Sequence, residues 1–321
     1  MEDRATKVDL ATVRSARARV GDVVLTTPVL PIDSLPNLSA YVKCENLQRT
    51  GSFKLRGLYN RIATLDPARV RGIVILSAGN AGAAAAWSAQ FCNLPCVVVT
   101  PPDCVPTKKR LIERFNGKVV GVERREDMEP TAHSYVEEFG YTLIDSHDDP
   151  AVIAGQGTVA LEMLDQLDGL DALIVPTGGG GLAAGSAVVL RELAPDVRLI
   201  AAEAAGAATL KPSLAADRVV RIAHVETIAD GLATSTYGMN TFQLVRDFVS
   251  DVIVVSEAAI LDAMAFAWRE LHLAIEPSAA VALAALLERA KSLEGHKAAA
   301  VLSGGNLEVD LLVRALRATA A

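Results

Sequence analysis

Gly72-Ile73-Val74-Ile75-Leu76-Ser77-Ala78-Gly79-Asn80-Ala81-Gly82 decides the fold. Residues 73–76 are all apolar, and three of them are β-branched. A strand with no polar face belongs in a parallel sheet covered on both sides. Small residues follow, then an alanine-rich run to Phe91 that reads as a helix. PCVVVT (95–100) is a second buried strand. Outward from here the pattern repeats. Residues 105–115 predict a helix, KVVGVE (118–123) a strand, 128–139 a helix and YTLID (141–145) a strand. Strands alternating with helices of this length specify βαβ units. Residues 72–148 therefore form one unit of four strands.

A second set follows. A helix runs from Asp149-Pro150 to about 167, DALIVPT (171–177) is a strand, and Gly178-Gly179-Gly180-Gly181 leads into a helix ending near 193. VRLIAAE (197–203), DVIVVS (251–256) and KAAAVLS (297–303) are strands, with helices from Glu257 and Pro277 and a last one after Gly304-Gly305-Asn306. Residues 204–250 are less regular. Upstream, 10–21 reads as a helix, LSAYVKC (38–44) as a strand, and a helix starts at Ser52, a good N-cap residue. Residues 1–71 hold too few strands for a domain and are expected to join the second sheet. The expected fold is α/β with two domains, each an open, mostly parallel sheet flanked by helices. Residues 1–71 with 149–321 make the large one and 72–148 the small, mobile one.

Composition agrees. Of 321 residues, 51% are hydrophobic and only 4% aromatic, so the core is built from Ala, Val, Leu and Ile. The net charge of −7, without a basic tract, argues against a nucleic-acid partner. No segment reaches the roughly 18 apolar residues of a membrane span, and MEDRATKVDLATVRSARARV has no signal core. Cys44, Cys92, Cys96 and Cys104 lack metal-ligand spacing and read as reduced. A soluble, cytoplasmic protein is expected.

Chemistry first shows at Lys54. It falls in the first turn of its helix, where the macrodipole disfavours a cation by roughly 0.3–1 kcal/mol. A lysine so placed is suited to act as nucleophile or base. Three loops share one plan of strand, small residues, helix: Ser77–Gly82, Thr177–Gly181 and Ser303–Asn306. Each leaves the carboxyl end of a predicted parallel strand, where open α/β sheets bind ligands. Glycines there let backbone N–H groups form an anion nest. Gly178, Gly180 and Ala183, with Glu203 about 20 residues on, also fit a dinucleotide fingerprint. That rival, an NAD-dependent oxidoreductase, leaves Lys54 and the other two loops unexplained. Pyridoxal phosphate uses all of them: a Schiff-base lysine, a phosphate nest, a partner for the ring nitrogen and a seat for the substrate carboxylate.

The sequence resembles the fold-type II pyridoxal-phosphate enzymes, in the serine/threonine dehydratase and serine racemase branch. The matching stretches are KCENLQRTGSFKLRG (43–57), SAGNAG (77–82), DPAVIAGQGT (149–158), PTGGGGL (176–182), TIADGLA (227–233), EPSAA (276–280) and SGGN (303–306). The resemblance implies that Lys54 holds the cofactor and removes the substrate α-proton. It implies that Phe53 lies beside the ring, Asn80 faces its phenolic oxygen, Gly178, Gly179, Gly180 and Gly181 hold the phosphate, and Ser303 meets the ring nitrogen. Ser77, Ala78, Gly79, Asn80 and Ala81 form the substrate-carboxylate loop. A homodimer is also implied. The expected activity is β-elimination of an L-β-hydroxy-α-amino acid, serine- or threonine-like, to a 2-oxo acid and ammonia. A threonine synthase-like or β/γ-replacement enzyme is the alternative, and a cofactor-bound regulatory protein without catalysis a further one.

Four departures stand out. Ala78 replaces the serine that acts as second base in racemising members. Ala81 and Ala83 replace the histidine and glutamine usual in dehydratases, which predicts a wider, more apolar pocket. Glu203, Ala207 and Thr209 occupy positions used by some members for a divalent cation, but Thr209 lacks a carboxylate, and Glu203 serves equally as a hydrogen-bonded cap. His147, in the loop ending the small unit, is expected on the phenolic side of the cofactor, and Glu276 near the substrate amine or the ring.

Overall fold

The structure is a computed structural model and describes residues 8–66, 68–77 and 79–318. Helix α1 (Leu10–Val20) starts from a capping box in which Asp9 accepts the Thr12 N–H and Thr12 Oγ1 accepts the Asp9 N–H. Strands β1 (Val29–Pro31) and β2 (Ser39–Lys43) follow, then α2 (Lys54–Ile62). The apolar strands found by pattern are β3 (Ile73–Leu76), β4 (Cys96–Thr100), β5 (Lys118–Gly121) and β6 (Thr142–Ile144). They alternate with α3 (Asn80–Phe91), α4 (Pro106–Arg114) and α5 (Met128–Phe139). All pair in parallel, in the order β5-β4-β3-β6.

The second sheet has the order β1-β2-β10-β7-β8-β9. Its later members are β7 (Ala172–Pro176), β8 (Arg198–Ala204), β9 (Val249–Val255) and β10 (Lys297–Val301). Around it lie α6 (Pro150–Gln166), α7 (Gly181–Leu193), α8 (Leu210–Ala215), α9 (Met239–Val245), α10 (Glu257–Glu270), α11 (Pro277–Arg289) and α12 (Val309–Ala318). The N-terminal strands join this sheet: β2 runs parallel to β10 with Val42 opposite Ala300, and β1 closes the edge antiparallel. Both sheets are thus mostly parallel and flanked by helices.

The core is rich in alanine. On α11 residues 278–286 are all buried, five of them alanines, and β10 contributes Ala298, Ala299 and Ala300. Helix α2 buries Leu55, Leu58 and Ile62 among α3 side chains and Ile73 and Ile75 of β3. Its first turn is fixed by ions. Arg56 is fully buried; it donates Nε and Nη2 to Glu45 at 2.8 Å each and Nη1 and Nη2 to Glu162 at 2.7 and 2.8 Å. Lys43 completes the cluster with bonds of 2.7 Å to Glu162, the Thr27 carbonyl and Gln166. Two cations and two carboxylates leave no net charge underneath Lys54.

One expected detail is corrected. Ser52 does not cap α2. The residue before Lys54 is Phe53, already helical in conformation. Ser52 instead makes a backbone bridge to Gly304, and the Phe53 N–H donates to the Ser303 carbonyl at 3.0 Å. This pairing stitches the loop after β10 to the start of α2.

Candidate active site

The carboxyl ends of β3, β7 and β10 open into a cavity of about 270 Å³. Phe53, Lys54, Ser77, Gly79, Asn80, Ala81, Gly178, Gly179, Gly180, Gly181 and Ser303 all line it. Ala78 lies outside the described residues. Ala83 does not line the cavity; it is packed in the core against α3's neighbours. Any widening therefore comes from Ala81 alone.

Lys54 reaches from the start of α2. Its Nζ donates to the Ser146 carbonyl at 3.2 Å and lies 5.3 Å from the centre of the Phe53 ring. Burial pulls its pKa down to about 8, with the Asp145 and Glu276 carboxylates opposing. An amine so poised is neutral often enough at physiological pH to attack a carbonyl.

Opposite it is the tetraglycine. Helix α7 begins at Gly181 with no side-chain cap, so its first N–H groups are free to meet an anion. Gly180 has φ +94°, and a Cβ there would collide with the Tyr237 ring. Thr241 Oγ1 donates to the Gly179 carbonyl at 2.9 Å. A planar trans peptide then turns the Gly180 N–H the other way. These donors, the lowered lysine and the Ser303 hydroxyl together fit a phosphorylated aldehyde with a basic ring nitrogen.

The loop after β3 is built more tightly than the sequence suggests. Ser77 Oγ accepts the N–H groups of Gly79 at 3.0 Å and Gly82 at 2.9 Å. The Asn80 side chain donates to Glu276 at 2.5 Å and accepts from Asn306 at 2.9 Å. Glu276 is almost wholly buried, and burial pushes its carboxyl up to about 7 against the pull of Lys108. Lys108 Nζ lies 2.5 Å from Asp230 and 3.5 Å from Glu276. Lys108 and Asp230 line the cavity and were missed in the sequence. Lys108 sits in the charged run PTKKRLIER, where nothing marks one lysine as inward-facing.

Glu203 is not at this site. It does not line the cavity; its carboxylate accepts the backbone N–H groups of Thr209 and Leu210 at 2.7 Å and Lys211 at 3.0 Å. It thus caps the start of α8, the hydrogen-bonded role its position allows. Among the described residues no group of three or more His, Cys, Asp or Glu is arranged to hold a metal. Nor is any described helix long and apolar enough to cross a membrane.

The family model for pyridoxal-phosphate dependent enzymes matches residues 20–304. The chain belongs to this family. It is a pyridoxal-phosphate-dependent enzyme of fold type II. It is 35% identical over 303 residues to an L-threo-3-hydroxyaspartate ammonia-lyase from a Pseudomonas species, covering 93% of this chain and 95% of that one. Maize serine racemase superposes with a TM-score of 0.91 at 36% identity, covering 98% of each chain. The processed form of threonine deaminase isoform 2 from Solanum lycopersicum also gives 0.91, at 29% identity, covering 100% of this chain and 97% of that one. The dinucleotide reading of residues 178–203 is thereby displaced.

Proposed function

We propose that this enzyme is a β-eliminating lyase that converts an L-β-hydroxy-α-amino acid, serine- or threonine-like, to a 2-oxo acid and ammonia. The observation that carries the reading is Lys54, with its lowered pKa, sharing one cavity with the tetraglycine and Ser303. Gly178, Gly179, Gly180 and Gly181 hold the cofactor phosphate, Phe53 flanks the ring, Asn80 faces its phenolic oxygen and Ser303 its nitrogen. The cofactor supplies an electron sink for the α-carbon.

The protein's part is positioning and proton handling. Backbone N–H groups at the start of α3, with Ser77, Gly79 and Asn80, seat the substrate carboxylate. Lys54 Nζ takes the α-proton. The electrons released form the Cα–Cβ double bond, and the β-hydroxyl departs with its bonding pair. The enamine set free reacts with water to give the 2-oxo acid and ammonia. Ser303 is a neutral hydroxyl and does not enforce a protonated ring, which suits prompt loss of a leaving group over transamination. Residue 78 is alanine and so carries no hydroxyl to serve as the second base of a two-base racemase. Residues 72–148 are the small domain that closes on the substrate, the rest is the large domain, and the enzyme acts as a cytoplasmic homodimer.

A dicarboxylic substrate is the second reading. Lys108 and Arg125 both line the cavity, and one relative acts on 3-hydroxyaspartate by its name. The test is 2-oxo acid release from serine, threonine and both threo and erythro 3-hydroxyaspartate. Borohydride treatment should attach the cofactor to the Lys54 peptide. Turnover only with an added nucleophile would replace elimination by β-replacement, and no turnover at all would end the lyase reading.

A further inference from the structure

His147 stands at the phosphate end of the cavity and has no part in the reaction above. The loop that carries it is held at both flanks. Asp145 Oδ1 accepts the N–H groups of His147 at 2.8 Å and Asp148 at 2.9 Å. The Asp148 carboxylate accepts the N–H groups of Met239, Asn240 and Thr241 at 3.1, 3.2 and 2.9 Å. The imidazole is therefore not free to choose its place. Its Nδ1 side lies 3.4 Å from Asp145 Oδ1 and 3.3 Å from Ser146 Oγ. Its other edge rests on the tetraglycine: a Cβ built on Gly179 would collide with Cδ2 and stand 2.9 Å from Nε2. So the Cδ2–Nε2 edge of the ring lies against Gly179, and the ring lines the cavity. Nδ1 thus faces the Ser146 hydroxyl and the nearby Asp145 carboxylate, which leaves Nε2 as the nitrogen for a ligand in the cavity.

We propose that His147, held in place by Asp145, hydrogen-bonds the cofactor phosphate through Nε2 and exchanges a proton with it. The inference rests on the assignment of the glycines to the phosphate. When the β-hydroxyl leaves with its bonding pair it needs one proton to become water. His147 supplies that proton to the phosphate side, becomes neutral, and regains it from solvent, which reaches about a third of the side chain. The proton on Lys54 is a separate one. Without the cofactor, burial holds the His147 pKa below its ordinary value, helped by Lys54 and opposed by the Asp145 and Asp148 carboxylates, the charged groups that face the ring. A phosphate dianion beside Nε2 adds charge of the sign that favours the imidazolium. Cofactor binding should then raise the His147 pKa.

The experiment is a pH titration of the holoenzyme by phosphorus NMR, with cofactor dissociation measured by equilibrium dialysis. His147→Gln should weaken cofactor binding about tenfold or more and displace the midpoint at which the bound phosphate titrates. Asp145→Asn should displace the same midpoint in the same sense. Gly180→Ala serves as the reference for the cradle itself. If Gly180→Ala weakens binding and His147→Gln leaves both affinity and titration unchanged, the histidine proposal falls and the phosphate site stands. If neither weakens binding, the phosphate assignment falls with it. Should His147→Gln not fold, histidine proton resonances of the wild type with and without cofactor decide the matter. A raised His147 pKa in the holo form supports the proposal, and an unchanged one overturns it.

Discussion

Replacing Lys54 by methionine should make the cofactor-free protein more stable while destroying its activity. The structure lowers the Lys54 pKa from its ordinary 10.5 to about 8, chiefly by burial. At about 1.4 kcal/mol per pH unit, the protonated lysine opposes folding by roughly 3 kcal/mol. Solvent still reaches part of this side chain, so the measured figure should lie nearer 1–3 kcal/mol. The sign follows from proton counting. Below pH 8 the lysine is charged in both folded and unfolded states, and the penalty is present in full. Between pH 8 and 10.5 the unfolded state binds more protons than the folded one, so wild-type stability rises with pH. Above 10.5 both states are neutral and the penalty vanishes. Lys54→Met has no such dependence. Urea unfolding of both cofactor-free proteins from pH 7 to pH 10.5 should show the variant ahead at pH 7 and the gap closing as pH rises. A variant that is equal or weaker at pH 7, or a gap that does not close, would refute the reasoning.

Gly180→Ala must adopt a left-handed φ and push its Cβ against the Tyr237 ring. Conformational strain of about 1–2 kcal/mol and overpacking of about 1–3 kcal/mol should appear together in denaturant unfolding, with weaker cofactor binding by dialysis. Glu203→Gln offers an amide where three backbone N–H groups need an acceptor. It should lose about 1–3 kcal/mol in thermal unfolding, while the response of activity to chelator and divalent cations stays that of the wild type; a changed cation response would return Glu203 to a metal role. Arg56→Met leaves Glu45 and Glu162 with only Lys43 in a buried cluster, and a loss of about 3–5 kcal/mol should follow by calorimetry.

How much of this was legible depends on distance along the chain. β3 and β4 were readable because no polar face interrupts Ile73–Leu76 or Val97–Val99, and only a covered parallel sheet uses such strands. Lys54 and the glycines were readable because each breaks a local rule, a cation at the wrong helix end and four residues with no side chain to pack. The failures are long-range. Ser52 has the chemistry of a cap, but its backbone is claimed by Gly304, which no local pattern reveals. Lys108 looks like a surface lysine until Asp230, from the turn between β8 and β9, and Glu276, just before α11, arrive beside it. Glu203 fitted three roles by position. The turn that brings the N–H groups of residues 209–211 back onto it, which makes it a cap, is not visible in any local pattern. Ala83 shows the opposite error: a position two residues from a cavity-lining alanine on a helix faces the other way.

The alanine layer has a consequence for the site it supports. Helix α11 packs directly beneath β7 and β10, whose tips carry the tetraglycine and Ser303. Much of the contact between helix and sheet is made by single methyl groups, among larger side chains such as Ile174 and Leu283 that are themselves fully buried. The layer therefore acts as a spacer of fixed gauge. A larger side chain at Ala280 or Ala284 would have no rotamer to retreat into and would lift the strands that bear the cradle away from Lys54 on α2. Catalytic alignment in this protein is thus hostage to volume at positions far from any reacting atom, and it can be lost by adding a methyl group as readily as by removing a functional one.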